Sequence, residues 1–151
     1  MALKQRIQED LKTALLSGNR TTAEVLRGLK AAILNEEVAQ GTRDSGLSDD
    51  AVEKLIAKEV KKRHESATLY EKGGRAELAI TERQEADILS EYLPEQLSEE
   101  GLREIIAVTI AGSTTEGAQA MGQVIGLVKQ QVGNRADGAT IARLVKEAVD
   151  M

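Results

Sequence analysis

Apolar residues return every third or fourth position almost throughout this chain, and polar punctuation divides them into helices. Leu3, Ile7, Leu11 and Leu15 line one side of a first helix that Gly18 stops. Thr21-Thr22-Ala23-Glu24 reads as a capping box, in which the Thr21 hydroxyl and the Glu24 carboxylate satisfy each other's free amides. The second helix then carries Val25, Leu26, Leu29, Ile33 and Leu34 and is expected to stop near Gly41. Residues 41–46, Gly-Thr-Arg-Asp-Ser-Gly, have the composition of a loop. Ser48 caps a third helix, with Leu47 and Val52 placed to staple its entry. Its stripe runs through Val52, Leu55, Ile56 and Val60 and then fades into Lys61-Lys62-Arg63-His64-Glu65-Ser66. Gly73-Gly74 makes a turn into a fourth helix from about Arg75 to Leu93, polar in its middle and apolar again at Ile88, Leu89, Tyr92 and Leu93. A helix packed on both sides needs a continuous apolar stripe, so helices three and four are expected to pair as a hairpin whose tip stands clear of the core.

Pro94 cannot continue a helix and biases Leu93 away from helical geometry. The domain boundary is placed there, with residues 1–93 as an N-terminal helical domain, 94–97 as linker and 98–151 as a small three-helix domain. Ser98 caps the fifth helix, stapled by Leu97 and Leu102, with Ile105, Ile106 and Ile110 continuing its core face. Gly112-Ser113-Thr114-Thr115-Glu116-Gly117 is the next loop, and two short helices follow at about 118–131 and 138–149. The expectation is an all-α protein: a four-helix domain with a long helical hairpin, plus a small C-terminal three-helix bundle, and no sheet.

Composition sharpens this picture. The 151 residues include two tyrosines, no Phe, no Trp and one proline, so the cores must be built from Leu, Ile, Val and Ala. The absence of cysteine removes disulfides, thiolate metal sites and cysteine nucleophiles. No apolar run approaches the ~20 residues needed to span a bilayer. The start, Met1-Ala2-Leu3-Lys4-Gln5-Arg6, has no apolar run behind its charges, and a cytoplasmic location is expected. A net charge of −5 argues against a general electrostatic grip on nucleic acid, while leaving room for a local patch.

Candidate chemistry is sparse. His64 stands alone among charges, whereas a metal site needs several converging ligands, so it reads as a solvated surface histidine and no metal or cofactor is expected. Of the carboxylate pairs Glu36-Glu37, Asp49-Asp50 and Glu99-Glu100, the last two lie at helix starts, where they complement the macrodipole. With no nucleophile signature and no phosphate-cradling glycine loop, no catalytic residue is assigned. Lys58, Lys61, Lys62 and Arg63, joined by Arg75, form a candidate partner-binding face. The interleaved Glu59 and Glu65 allow the plainer reading of a salt-laced helix surface. In Met121-Gly122-Gln123-Val124-Ile125-Gly126 the glycines recur at i and i+4, although each costs a helix about 1 kcal/mol relative to alanine. Close packing of another helix, or the approach of a backbone or ligand, would account for them. Gly133 has the place of a left-handed C-cap and Asp137 that of an N-cap. Between residues 119 and 146, Lys129, Arg135, Arg143 and Lys146 face Asp137 alone, an excess of three positive charges within an acidic protein. Such a cluster suits a small phosphate-backbone contact.

Several stretches together resemble the YqeY family: Lys58 to Ala67 (Lys-Glu-Val-Lys-Lys-Arg-His-Glu-Ser-Ala), Tyr70 to Ala79, and Glu91-Tyr92-Leu93-Pro94-Glu95-Gln96-Leu97-Ser98. Met121-Gly122, Val124 and Gly126, with Gly133, Arg135, Ala136, Asp137 and Gly138, extend the match over nearly the whole chain. His64 stands where another basic residue would be expected. The C-terminal half is similar to the tail domain of the B subunit of the glutamyl/aspartyl-tRNA amidotransferase. The resemblance implies an N-terminal helical domain plus a three-helix tail, a link to tRNA and its amidotransferase or to other translation proteins, and carbon–nitrogen ligase chemistry with glutamine as amide donor. Other subunits would have to supply that chemistry. Three readings follow: a tRNA-related accessory module contacting RNA through Lys129, Arg135, Arg143 and Lys146, an amidotransferase component acting with partners, and a protein-interaction adaptor built on the hairpin.

Overall fold

The computed structural model describes residues 2–113 and 118–150. Leu3, Ile7, Leu11 and Ala14 are the buried edge of α1 (Leu3–Ser17). Its first amide is satisfied from a distance, since Leu3 N donates to Asp49 Oδ1 at 3.1 Å. Gly18, at φ 77°, ends the helix in the left-handed conformation that costs glycine little. Helix α2 (Arg20–Gln40) begins earlier than the Thr21 capping box expects. Gly18 has already turned the chain, and Asn19 caps instead, its side chain accepting from Thr22 N at 3.2 Å. Ala23, Leu26, Leu29 and Ile33 then face the core, and Gly41 closes the helix at φ 68°.

Ser48 caps α3 (Asp49–Lys72), accepting from Ala51 N at 3.2 Å, with Asp49 and Asp50 in the first turn. Gly74, at φ 77°, reverses the chain into α4 (Ala76–Ser90). The core of the first four helices reaches Val60 on α3 and Ile88 on α4 and takes nothing from the segment between them. The hairpin tip is therefore clear of that core, and its two helices close on each other instead. Ala67, Ala79 and Ala86 are fully buried there, although none belongs to the main core. Side chains of one methyl group let helix axes approach closely, because interaxial distance follows side-chain size at the contact. Charged residues frame this seam: Arg63 bridges Glu59 at 3.2 Å and Glu85 at 3.3 Å, and Arg83 bridges Glu71 at 2.6 Å.

Helix α4 stops at Ser90, three residues short of the expected Leu93. Pro94 disfavours helical geometry before it, and the chain tightens into a turn, with Tyr92 N donating to Leu89 O and Leu93 N to Ser90 O, each at 3.1 Å. The turn returns Tyr92 to the core. Its hydroxyl donates to Asp10 Oδ2 at 2.5 Å, and the Arg6 guanidinium lies 4.8 Å from its ring centroid. Burial first, and then the Asp10 carboxylate, push this phenol well above its ordinary range.

The chain divides at Leu93/Pro94 into two compact units. In the second, Ser98 caps α5 (Glu99–Ala111), accepting from Gly101 N at 3.0 Å. It is followed by α6 (Ala118–Val132), a 3-10 turn (Gly133–Arg135) and α7 (Gly138–Val149). Asp137 caps α7 through Thr140 N at 3.3 Å, and Gly133 takes φ +56° at the corner. Leu102, Ile106, Val124, Val128, Ile141 and Leu144 form the centre of this unit's own core. The segment before α5 is pinned to the 3-10 turn: Leu97 N donates to Arg135 O at 2.8 Å and Gln96 Nε2 to Asn134 O at 3.0 Å. The protein is all-helical, with seven α-helices and no strand among the described residues. Of the expected loop at 112–117, residues 114–117 lie outside the described residues.

Glu37 is the buried charged side chain of the described residues, 2% exposed. It accepts from Lys4 Nζ at 2.7 Å and from Leu47 N at 3.0 Å, tying the 41–48 loop to α1 and α2. Gly46, at φ +76°, passes so close that an added Cβ would lie 3.3 Å from Oε2. The Lys4 hydrogen bond, opposed by burial and aided by Leu47 N, holds this carboxyl below its ordinary value of 4.5. A depressed carboxylate pKa stabilises the fold above the unfolded value and loses that contribution as pH falls through the folded value. The melting temperature of the native protein is therefore expected to fall as acid takes the pH through and below about 4.5. Glu37→Gln should melt lower at neutral pH and show a shallower acid decline. Parallel pH profiles of the two proteins would count against this role for Glu37.

Candidate functional site

The corner between α6 and α7 is built from turn residues and carries two cations, Lys129 and Arg135. Gly133 and Asp137 set its backbone, while Met121 and Ala136 pack against the unit's core. Lys129, in the last turn of α6, lays its stem over the first residue of α7, its Cε 3.4 Å from where a Gly138 Cβ would sit. Arg135 closes the 3-10 turn of the same corner with its side chain exposed and its carbonyl engaged by Leu97. Lys146 stands exposed in the last turn of α7. No ion pair holds Lys129, Arg135 or Lys146 among the described residues.

Arg143 is differently placed. It makes a very short contact with Glu99 and pairs with Glu147 at 3.2 Å. The Glu99 carboxylate first, and Glu147 second, hold its guanidinium more firmly protonated than usual. Of the four cations that the sequence groups together, three thus have their charge open to a partner and one is engaged by carboxylates. Residues 94–151 carry eight acidic and five basic residues, and three of the acids, Glu99, Glu100 and Glu104, sit on α5. The basic corner is consequently a local feature of an acidic unit.

Gly122 and Gly126 are exposed, and a Cβ added to either would meet nothing within 4 Å. Of the two explanations the sequence allows, close packing of a helix is not seen on these glycines among the described residues of this unit, and the approach of a backbone or ligand remains. They leave a strip of bare backbone on α6, beside the half-exposed Leu127 and short of the first charge, Lys129.

The basic run of the hairpin is largely answered by its own carboxylates. Lys62 lies 3.8 Å from Glu59, Arg63 is shared between Glu59 and Glu85, and Arg75 lies 3.7 Å from Glu77. Lys58 and Lys61 are exposed on α3. Arg63 is therefore a structural tie within the hairpin more than an open contact point. His64 is exposed, and its carbonyl accepts from Thr68 Oγ1 at 3.1 Å. Among the described residues no three His, Cys, Asp or Glu side chains converge as metal ligands. No helix among them is long and apolar enough to cross a membrane. An open groove between the end of α1 and the start of α2, beside Leu15, Asn19, Arg20 and Arg27, has no counterpart in the sequence reading, since both helices had to be aligned to reveal it.

A family model described as "Yqey-like protein" matches residues 4–149. The chain belongs to the YqeY-like family. Among curated proteins it is similar to "Altered inheritance of mitochondria protein 41, mitochondrial" from Pyrenophora tritici-repentis, at 29% identity over 95% of this chain and 79% of that protein. Proteins of the same description match from Eremothecium gossypii, at 32% over 58% of this chain and 46% of theirs, and from Clavispora lusitaniae, at 29% over 61% and 52%. The chain thus spans about half of the last two relatives. The names of those relatives place them in mitochondria.

Proposed function

We propose that this YqeY-like chain is a tRNA-related accessory protein whose C-terminal unit meets the RNA backbone through Lys129, Arg135 and Lys146. The observation that carries this reading is that Lys129 and Arg135 both lie at the α6–α7 corner, exposed and not held in an ion pair among the described residues. Lysine and arginine without a carboxylate partner are the groups that displace counterions from phosphate. The sequence has no Phe or Trp for a base-stacking platform, so recognition rests on RNA shape and backbone. The compartment would be one that holds tRNA, the cytoplasm by the sequence expectation or mitochondria by the descriptions of the relatives. Carbon–nitrogen ligase activity with glutamine as amide donor enters this reading as the work of amidotransferase partner subunits, with the chain bound beside them.

A second reading, a protein-interaction adaptor, is favoured by the hairpin tip, where Leu69 is 68% and Ile80 56% exposed. The two readings separate in one titration. With three phosphate contacts, binding to total tRNA should weaken by about twenty- to forty-fold between 50 and 200 mM salt, at roughly 0.7–0.9 logarithmic units per contact for each tenfold change in salt. The Lys129→Ala/Arg135→Ala/Lys146→Ala variant should lose most of that dependence while keeping its helix content. Unchanged affinity in the triple variant, measured by mobility shift, would remove this site from the RNA reading and leave the adaptor.

A further inference from the structure

Four side chains of alternating charge close a ring on the face shared by α5 and α7. Arg143 contacts Glu99 and Glu147, and Arg103 reaches the same two carboxylates at 3.5 and 3.8 Å. All four are about half exposed, so the ring stands in solvent at the edge of the unit. Arg143 also lies three residues before Lys146 on α7, a spacing that puts two side chains on neighbouring parts of one helix surface. A guanidinium fork binds carboxylate and phosphate oxygens through the same donors, so one ligand excludes the other.

We propose that Glu99 and Glu147 are built-in competitors for RNA phosphate, holding Arg143 out of the contact and setting a deliberately modest affinity for the C-terminal unit. This inference rests on the RNA-backbone reading above and adds the residues that tune it. Lys129, Arg135 and Lys146 give the protein three contacts, and Arg143 is a fourth that becomes available when its carboxylates are neutralised. Exposed ion pairs are weak, so the exchange of carboxylate for phosphate is easily tipped by removing charge on either side. Native Arg143 consequently contributes little to binding, whereas Arg143 freed of Glu99 and Glu147 contributes a full contact.

The test compares two variants of equal net charge on the full chain, Glu99→Gln/Glu147→Gln and Glu100→Gln/Glu104→Gln. The second pair neutralises two acids of α5 that make no pair with Arg143 among the described residues. One added phosphate contact strengthens binding about five- to eight-fold at 0.1 M salt relative to 1 M and steepens the salt slope by about 0.7–0.9. The first variant should therefore bind total tRNA about five- to eight-fold more tightly than the second in 0.1 M salt, with the steeper slope. The same two substitutions also release Arg103, so adding Arg143→Ala should abolish the gain while adding Arg103→Ala should leave it, and Arg143→Ala alone should change native affinity by less than about two-fold on the same relation. Should Glu99→Gln disturb the start of α5 by circular dichroism, Glu147→Gln alone should give a smaller gain of the same sign.

Equal affinities of the two paired variants, or a gain that survives Arg143→Ala, would overturn the inference while native binding leaves the RNA reading intact. Absence of tRNA binding by the native protein and every variant would overturn both. Binding that appears only in the Glu99→Gln/Glu147→Gln variant and needs Arg143 would support the competitor role.

Discussion

Leu144→Ala is expected to destabilise residues 94–151 strongly while residues 1–93 keep their stability. Leu144 is 1% exposed and sits among Leu102, Ile106, Val128 and Ile141 at the centre of the second core. Removing a buried leucine side chain costs about 2–5 kcal/mol, because the lost transfer energy is joined by a cavity that the surroundings fill incompletely. A helical unit of this size has a total stability of about 3–9 kcal/mol at the usual stability per residue. The substitution therefore consumes a large share of what holds it together. Two separately built cores predict two responses, which hydrogen exchange read by mass spectrometry resolves along the chain. Protection should fall steeply across α5 to α7 and persist in α1 to α4. Equal losses in both halves would show one cooperative unit, and full protection of α7 would show that Leu144 is not central to its core.

Ala79→Leu should act at the opposite end of the size scale, by overfilling. Ala79 is fully buried where α4 meets α3, alongside Ala67 and Ala86. A leucine there needs room that two closely approaching helices lack, and such insertions cost about 1–3 kcal/mol. The damage should be local, since this seam lies outside the main core. Exchange should quicken through residues 61–87, with Ile33 and Leu26 still protected. A melting temperature equal to that of the native protein would mean that the hairpin can splay at no cost.

Sequence periodicity made the fold legible because the chain spaces its core residues plainly and marks its breaks with Gly18, Gly41, Gly74 and Pro94. It placed Ser48, Ser98 and Asp137 as caps, each of which accepts from the amide three residues on. It misplaced the start of α2 because two capping patterns overlap, and the earlier one, at Asn19, follows directly on the glycine that ends α1. The alanine seam of the hairpin escaped notice because alanine carries no hydropathic signal strong enough to mark a buried face. Glu37 was legible as part of a carboxylate pair, but its burial depends on Lys4, thirty-three positions away, and on the Leu47 amide. The same limit applies to the basic cluster. Charge counting from 119 to 146 stops one residue short of Glu147 and far from Glu99, the two groups that occupy Arg143. Gly122 and Gly126 are an opposite case: their spacing suggests a close neighbour, either a packed helix or an approaching backbone or ligand, and the folded unit leaves them bare.

The seat of Tyr92 in the first core has a spectroscopic consequence. Tyr92 and Tyr70 both precede Pro94, so every near-ultraviolet chromophore of the sequence belongs to the first unit. Tyrosine emission and near-ultraviolet dichroism therefore follow the melting of that half and are blind to the other. A tryptophan introduced at the exposed Gln123 would be the sole indole of the protein, and its emission would report on α6 and its ligands without any contribution from the hairpin.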